Sequence, residues 1–365
     1  MRHIIPTFFY MLLFVGLIYF AVWPIPIMPI EWEAPPNPGF TGVYSPNDKL
    51  KGLQRLSVKG HIGPEAVAFD DQGRIYTGTA NGLIIRLDRN GENPEVFADT
   101  KGRPLGMEID QDGNLIVADG KRGLISIEPN GAVDVLADHV IGRAIGFADD
   151  LAIGPNNKIY FTDASKKFWP GRFGSSSDAA VLDLVEHGGN GRLLVYDTLT
   201  QETDRLVNDV DFANGVTLSH DRKAIIFSEM GSYRILRYWI DGPREGELEI
   251  LVDQLPAFPD NITTGTDGRY WVAMVSPRNK LMDMLSGWPR IRKMIMRLPK
   301  QLHPAAVRHS HVIAINDDGE IVANLQDSDA SYTAITSVIE RDGVLYFGSL
   351  TMKELARLEM SQAGL

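Results

Sequence analysis

The stretch QGRIYTGTANGLIIRLD, residues 72–88, contains the pattern that decides the fold. A turn that contains glycine leads into a short run of apolar and β-branched residues. A second turn then leads into a second run of the same kind. Short runs of this composition between turn residues are typical of β-strands, so the stretch predicts a pair of adjacent strands.

The same pattern recurs along the chain at intervals of roughly 40 residues, which is the spacing of blades in a β-propeller. The further repeats are DGNLIVADGKRGLISIE (112–128), NKIYFTDAS with GRLLVYD (157–165 and 191–197), KAIIFSEMGSYRILRYWI (223–240), GRYWVAM with HVIAIN and GEIVANL (268–274, 311–316 and 319–325), and GVLYFGSLTMKELARLEM (343–360). Six repeats predict an all-β, six-bladed β-propeller over residues 40–365. The segment 49–58 is expected to supply the outer strand that closes the ring on the last blade. A β-sandwich would need fewer strands than this chain offers.

Composition excludes several functional classes. The 365 residues are 44% hydrophobic and 23% charged, as expected for a globular chain with a large core. The net charge of −11 argues against nucleic acid as the main partner, because phosphate binding needs a basic surface. The chain has no cysteine, which excludes disulfides, thiolate metal sites and cysteine nucleophiles.

Residues 1–23 predict a membrane anchor. The run 4–23 holds twenty residues without a charge, enough to cross the hydrocarbon core of a bilayer. A cleaved signal peptide is the alternative, but the following segment PIPIMPIEWEAPPNPG (24–39) offers no A-x-A-like cleavage site. Arg2 precedes the run, so the positive-inside rule predicts a single-pass protein with a cytoplasmic N-terminus and its propeller on the periplasmic or extracytoplasmic side. The Pro-rich segment 24–39 is expected to be a stiff linker.

Two inserts interrupt the repeats, at 164–190 in the third blade and at 276–310 in the fifth. The first contains a predicted short helix, Asp178–Glu186. The second has eight Lys or Arg and one acidic residue between Arg278 and Arg308, and its apolar residues recur at helical spacing. A basic amphipathic helix suggests contact with a membrane surface or a cover over a pocket. A helix packed on the propeller, with solvated Lys and Arg, is the alternative.

Oxygen-bearing side chains precede the innermost strand of four blades, and these strand ends surround the axis of a propeller. They are Glu65 in GPEAVAFD (63–70), Asp149 in FADDLAIGPN (147–156), Asn214 in FANGVTLSHD (212–221) and Asp260 in FPDNITTGTDG (258–268). A single such residue would be an ordinary loop residue, whereas four at matching positions predict a site. Three carboxylates in one channel repel each other and require a cation. Carboxylate and amide oxygens favour Ca²⁺ over Zn²⁺.

These motifs, in this order, resemble the superfamily of six-bladed propellers that contains gluconolactonase (senescence marker protein 30), strictosidine synthase-like proteins and paraoxonases. The motifs that carry the resemblance are GPEAVAFD, GRPLGMEID (102–110), DDLAIGPNNKIYFTDAS (149–165), FANGVTLSHD, FPDNI and ITSVIERDGVLYFGSL (335–350). The resemblance covers about residues 40–360. The chain looks closest to the membrane-anchored strictosidine synthase-like branch, which includes the adipocyte plasma membrane-associated protein.

The resemblance implies a calcium-dependent hydrolase of small carboxylic esters or lactones, of arylesterase or gluconolactonase type. In calcium-dependent members a Glu, two Asn and an Asp bind a catalytic Ca²⁺, and these positions correspond to Glu65, Asp149, Asn214 and Asp260. Asp149 stands where Asn is usual, so it adds a negative charge. The last Asp is often assigned to water activation as well, a catalytic role that Asp260 would inherit.

Departures from the family pattern leave alternatives open. Paraoxonases use a His dyad near the metal, and Leu105 stands at one of these positions. Strictosidine synthase is a metal-free lyase whose essential Glu has no assignable counterpart here. A non-catalytic propeller with structural Ca²⁺ and a metal-free lyase are therefore the alternatives to the hydrolase. The chain has no G-x-S-x-G motif. His311, which opens a strand and is expected to face the channel, is the second candidate catalytic residue.

Overall fold

The computed structural model describes residues 10–11, 14–16, 18–20, 22–303 and 306–365. Within these residues the strands form six four-stranded antiparallel sheets and one two-stranded hairpin. The six sheets are the blades of a propeller, which confirms the predicted all-β, six-bladed fold.

Each blade is built from consecutive strands, except that the last blade takes its outer strand from the start of the domain. The first strand is β1 (Gln54–Ser57). Blade 1 contains β2 (Ala68–Phe69), β3 (Ile75–Gly78), β4 (Leu83–Leu87) and β5 (Glu95–Asp99), and blade 2 contains β6 (Pro104–Ile109), β7 (Leu115–Asp119), β8 (Gly123–Ile127) and β9 (Val133–Ala137). After the hairpin β10 (His139–Val140) and β11 (Arg143–Ala144), blade 3 contains β12 (Ala148–Ile153), β13 (Lys158–Asp163), β14 (Gly191–Asp197) and β15 (Glu202–Val210). Blade 4 contains β16 (Ala213–Leu218), β17 (Ala224–Glu229), β18 (Arg234–Trp239) and β19 (Leu248–Val252). Blade 5 contains β20 (Ala257–Thr264), β21 (Tyr270–Pro277), β22 (Ser310–Ile315) and β23 (Ile321–Asp327), and blade 6 contains β24 (Ile335–Arg341), β25 (Val344–Ser349) and β26 (Glu354–Glu359).

Strand β1 closes the ring, as the sequence predicts. It pairs with β26 in antiparallel register, with Leu56 opposite Leu355, and so becomes the outer strand of blade 6. Leu56 is buried in a cluster that includes Ile85 and Leu87 of blade 1 as well as Leu355 of blade 6. The strand therefore joins the first and last blades through both hydrogen bonds and apolar contacts.

The two inserts contribute helices that pack against the inner ends of the blades. These helices are α1 (Ser176–Glu186), α2 (Lys280–Met284) and α3 (Pro289–Ile295). The longest, α1, begins at a capping box in which Ser175 and Asp178 bond to each other's backbone. Its Val185 packs in a cluster with Phe147 and Phe212, which directly precede the innermost strands of blades 3 and 4.

The Pro-rich segment 24–39, predicted to be a linker, lies along these inserts. Ile27 is fully buried in the same cluster as α1. The amide of Ile30 donates to the backbone oxygen of Glu186 at 3.0 Å. The Trp32 ring stacks on the imidazole that follows α1, with ring centroids 3.8 Å apart. We call this segment the strap, because it is held against the domain at several points rather than standing away from it.

Arginines of the second insert hold the chain at and before the strap through its backbone oxygens. The contacts are Arg278 with Pro35 and Pro36 at 2.7 and 3.2 Å, Arg292 with Ile30, and Arg297 with Trp23 at 2.7 Å. A Pro-rich segment cannot pair these oxygens by itself, because an extended polyproline conformation has no internal hydrogen bonds. Each guanidinium offers five N–H donors. These three cations are therefore bound to the chain rather than solvated.

The predicted anchor, residues 1–23, falls largely outside the described residues. Among the residues that are described, no helix is both long and apolar enough to cross a membrane. The described end of the segment contacts the second insert, where the Tyr19 hydroxyl donates to the backbone oxygen of Arg297 at 2.9 Å.

Truncating Leu56 tests the closure of the ring. We expect Leu56→Ala to lower the free energy of unfolding by about 2–5 kcal/mol, because it leaves a cavity in the cluster shared by blades 1 and 6. Val135→Ala is the control, since Val135 is 45% exposed on the outer strand β9. The control should change stability by about 0.5 kcal/mol or less. Denaturant unfolding of the full chain in detergent measures both, and equal effects would contradict the closure role.

Arg292→Met should release the strap. The substitution removes the donor to the backbone oxygens of Val185, Ile30 and Ser286, of which Ser286 alone also accepts the Trp32 amide. We expect hydrogen exchange at the amides of residues 27–32 to accelerate by about tenfold or more. Arg290→Met is the matched control, because Arg290 lies two residues away on the same helix and is exposed. Unchanged exchange in Arg292→Met would show that the guanidinium does not hold the strap.

Candidate functional site

A β-bulge interrupts the innermost strands, and it positions the candidate residues. On β12, Ala148 and Leu151 are three positions apart, but their partners on β13, Asp163 and Phe161, are only two positions apart. Strand β12 therefore carries one extra residue between them, in the segment Asp149-Asp150. The same shift occurs in β6, β16 and β20. A bulge breaks the regular alternation of side chains and re-aims them. We call the first bulged residue of each innermost strand, and its equivalent in the remaining blades, the axial position.

The axial positions of all six blades line one cavity of about 360 Å³. They are Glu65, Leu105, Asp149, Asn214, Asp260 and Thr336. The structure thus brings the four predicted metal ligands together at one cavity. Most of the remaining wall is apolar and includes Phe147, Phe212 and Phe258. An apolar cavity of this size with a few polar groups is typical of a site for a small molecule.

The residue after the axial position faces another cavity. Asp150, Asn261 and Ser337 line this second cavity, of about 620 Å³. Blade 4 has Gly215 at this position, where space is short, since a Cβ there would lie 2.3 Å from the Cα of Asn261. A carboxylate oxygen of Asp150 accepts the backbone N–H of Val216 at 2.9 Å and so ties blade 3 to blade 4. The axial residues and their successors therefore form a layer between two cavities.

The three axial carboxylates are buried, and this burial raises their pKa values. Glu65, Asp149 and Asp260 are 2%, 3% and 4% exposed. Burial raises the pKa of Glu65 to about 7, while the nearby Arg103 charge acts in the opposite direction. Burial, followed by repulsion from neighbouring carboxylates, raises the pKa of both Asp149 and Asp260 well above the usual range. A bound proton or a bound cation would relieve this repulsion.

Unpaired oxygen atoms fit a cation at this layer. Oε2 of Glu65, Oδ1 of Asn214 and Oδ1 of Asn261 are buried, and none has a hydrogen-bond partner in the described part of the chain. Buried polar atoms are nearly always paired, so three such acceptors require an explanation. Oxygen acceptors are the ligands that Ca²⁺ prefers. No three Asp, Glu, His or Cys side chains among the described residues form a metal site by themselves, so the amide oxygens would have to contribute.

Hydrogen bonds hold the axial residues in place. The Thr336 hydroxyl donates to the backbone oxygen of Glu65 at 2.8 Å. The Ser228 hydroxyl donates to the backbone oxygen of Asp260, also at 2.8 Å. The Asn214 side chain lies beside the Asp260 carboxylate and favours its ionised form. Because neighbouring blades and strands supply these bonds, the positions of the axial carboxylates depend on the closed ring.

Asn261 and Arg103 also belong to the site. The amide nitrogen of Asn261 donates to Oε1 of Glu65 at 3.4 Å. Arg103 is buried, and the charges of Glu65, Asp149 and Asp119 all favour its protonated form. It also donates to a backbone oxygen just before blade 1 at 3.1 Å. No role for Arg103 follows from the sequence alone, although the GRPLG motif places this residue two positions before the axial residue Leu105.

The structure corrects the expected position of His311. This residue lies on β22, which is the third strand from the axis in blade 5. Its ring is fully buried next to Phe40, and its Nε2 lies 3.1 Å from Oδ1 of Asn324. His311 therefore does not line the cavity. The strand after the second insert continues the blade outward, whereas the sequence-based interpretation placed its start at the channel.

Two family models match parts of the chain. Strictosidine synthase matches residues 149–243, and the N-terminal region of strictosidine synthase-like proteins matches residues 42–87. The adipocyte plasma membrane-associated protein of Salmo salar is 35% identical over 95% of this chain and 87% of its own length. The Homo sapiens protein of the same name is 34% identical over 92% and 84%. Protein STRICTOSIDINE SYNTHASE-LIKE 3 of Arabidopsis thaliana is 33% identical over 80% and 81%.

Solved structures share the fold at lower sequence identity. A gluconolactonase from Xanthomonas campestris is similar with a TM-score of 0.62 and 14% identity, over 85% of this chain and 90% of that one. The calcium-binding protein regucalcin of Agrobacterium tumefaciens is similar with a TM-score of 0.57 and 14% identity, over 84% and 93%. At this identity the likeness concerns the fold alone.

The raised pKa values predict a pH-dependent stability. In the unfolded chain, Asp and Glu lose their protons near pH 4, whereas folded Glu65 keeps its proton up to about pH 7. The folded state then binds more protons than the unfolded state between these pH values. Without a divalent cation, the free energy of unfolding should therefore fall as the pH rises from about 4 to about 7.

Calcium should remove this decline, because it stabilises the ionised carboxylates in the folded state only. Asp149→Asn should make the decline shallower, since it removes one of the three repelling charges. Asp267→Asn is the control, because this carboxylate is exposed in a turn. Thermal unfolding at several pH values, with chelator and with Ca²⁺, provides the measurement. A decline that is equally steep in both conditions would contradict a cation site.

Proposed function

This chain belongs to the strictosidine synthase-like family, and we propose that it is a membrane-attached, calcium-dependent hydrolase of carboxylic esters or lactones. The proposal depends on one observation: four blades direct Glu65, Asp149, Asn214 and Asp260 to the same apolar cavity. Two of these side chains carry buried oxygens without a partner among the described residues. A cation and a hydrolysable substrate would account for the polar and the apolar parts of this cavity respectively.

In this proposal, different residues of the chain bind the metal ion, accept the proton and bind the substrate. Glu65, Asp149, Asn214 and Asp260 would hold Ca²⁺, with Asn261 as an additional oxygen ligand. When bound, Ca²⁺ supplies a Lewis acid for the substrate carbonyl and its developing oxyanion. The Asp260 carboxylate accepts a proton from the attacking water, and the neighbouring Asn214 side chain favours its ionised form. The apolar wall binds the hydrocarbon part of the substrate.

The descriptions of similar proteins support separate parts of this proposal. One structural neighbour is described as a gluconolactonase and another as calcium-binding, and several relatives are named plasma membrane-associated. In this proposal the uncharged run 4–23 is the membrane anchor. The N-terminus then lies in the cytoplasm, and the propeller lies on the periplasmic or extracytoplasmic side.

Chelation of calcium tests the reaction class. The full chain in detergent should hydrolyse members of a panel of aryl esters and lactones when Ca²⁺ is present. Chelator should abolish this activity, and Ca²⁺ should restore it. Activity that survives chelation would contradict the metal-dependent mechanism and favour a metal-free lyase. Bound calcium without activity on the whole panel would favour the non-catalytic propeller.

Asp260→Asn tests the proposed base. We expect kcat to fall by about 10²–10⁴-fold, the usual contribution of a general base. The fold should survive, because Asn keeps the shape of the side chain and removes a buried charge. Asp267→Asn, in the turn after the same strand, should leave kcat unchanged. Retention of activity in Asp260→Asn, measured with saturating Ca²⁺, would exclude Asp260 as the base.

A further inference from the structure

Exposed apolar side chains are concentrated where the N-terminal segment meets the second insert. The set comprises Trp23, Met28, Met284, Trp288, Ile291 and Met294, which are between 39% and 75% exposed. We call this set the insert face. Single exposed apolar residues are common on proteins, but a group with two Trp and three Met on adjoining segments indicates a contact surface.

The apolar run 4–23 contacts the second insert directly, without an intervening linker. Arg297, which follows α3, donates to the backbone oxygen of Trp23, the last residue of the run 4–23, at 2.7 Å. The strap that begins at the next residue is held by further insert arginines. A chain that leaves a bilayer at Trp23 would therefore meet the propeller immediately. The bilayer surface would then lie against the insert face rather than at the distance of a linker.

Positive charge accompanies these apolar side chains. Lys280 and Arg290 are exposed and Lys293 is half-buried, and all three lie on α2 or α3. Within the described residues none of these three side chains forms an ion pair or a hydrogen bond. Free cations among exposed Trp, Met and Ile side chains match a bilayer surface that contains anionic lipid.

The elements that carry the insert face also line the cavity above the axial layer. Met282 and Met284 lie on the same short helix, where Met282 lines the cavity and Met284 is 75% exposed. Met296, which follows α3, lines the cavity as well, and α1 contributes Val181 and Leu184. A bilayer that covers the insert face would thus lie next to the apolar wall of the cavity.

We propose that the insert face is a second membrane contact, made with a bilayer that contains anionic lipid, and that the cavity takes lipid-dissolved esters or lactones from that bilayer. The first part rests on the proposed membrane attachment, and the second part rests on the proposed hydrolase activity. The two parts are therefore tested separately.

Spin labelling tests the membrane contact without reference to activity. The chain contains no cysteine, so Ile291→Cys and Leu199→Cys each give a single site for a nitroxide label. Leu199 is 75% exposed in the turn between β14 and β15 and serves as the control. In vesicles containing phosphatidylserine, the label at position 291 should be more accessible to oxygen than to a water-soluble nickel complex. Equal water exposure of both labels would overturn the proposed contact.

Substitutions on the surface test the source of the substrate. The test compares the rate of hydrolysis of a long-chain aryl ester in vesicles with that of a short water-soluble ester. The double variant Met284→Glu, Ile291→Glu should lower the ratio of the first rate to the second by about tenfold. Leu199→Glu, which also places a charge on an exposed apolar position, should leave this ratio unchanged. An unchanged ratio in the double variant would overturn the proposed route of the substrate. If the parent chain hydrolyses neither ester, the hydrolase proposal and this route fail together, while the label at position 291 still decides the contact.

Discussion

Mutual repulsion among buried carboxylates on the axis of a closed ring is the constraint that the rest of the structure has to meet. A propeller directs the equivalent position of every blade to one place, so Glu65, Asp149 and Asp260 cannot separate without opening the ring. Arg103 and the Asn214 amide offset this repulsion only in part. Because the carboxylates are buried, water cannot screen the repulsion that is left. Ring closure by β1 therefore has an electrostatic role as well as a packing role: it holds like charges together until a proton or a cation neutralises them.

The sequence predicted the parts of this arrangement that repeat. Strand pairs at a regular interval indicated the blades, and the recurrence of Glu65, Asp149, Asn214 and Asp260 at one position in the repeat indicated a shared location. The role of Asn261, the second bulged residue of blade 5, was harder to predict. It follows Asp260 directly, and only the bulge determines which of the two side chains faces which cavity. Arg103 was missed because the two carboxylates that act on it most strongly, Glu65 and Asp149, belong to other blades, and no local pattern records such partners. His311 was misplaced because the order of strands within a blade is ambiguous when a long insert separates them.

The number of basic residues in the second insert also did not predict which of them are paired. Eight Lys or Arg between Arg278 and Arg308 indicate a basic segment, but the sequence does not show which of them are free. The structure pairs Arg278, Arg292 and Arg297 with backbone oxygens of the chain at 23–36. The two segments are complementary for a physical reason, because proline removes the N–H donors and leaves carbonyl acceptors. A Pro-rich stretch and an Arg-rich stretch in one sequence can therefore indicate a contact between them, although they lie more than 200 residues apart.

The bulge also explains how one short motif serves two functions. In a regular strand the two residues would face opposite sides of the blade, and neither would point along the axis. With the extra residue, the first side chain lines the smaller, more apolar cavity and the second lines the larger one, whose wall includes Glu108, Arg222 and Glu340. The second residues then hold the blades together, as Asp150 does through the Val216 amide. A carboxylate pair such as Asp149-Asp150 is thus divided between a site that needs neutralisation and a contact whose oxygens accept the backbone N–H groups of Leu151 and Val216.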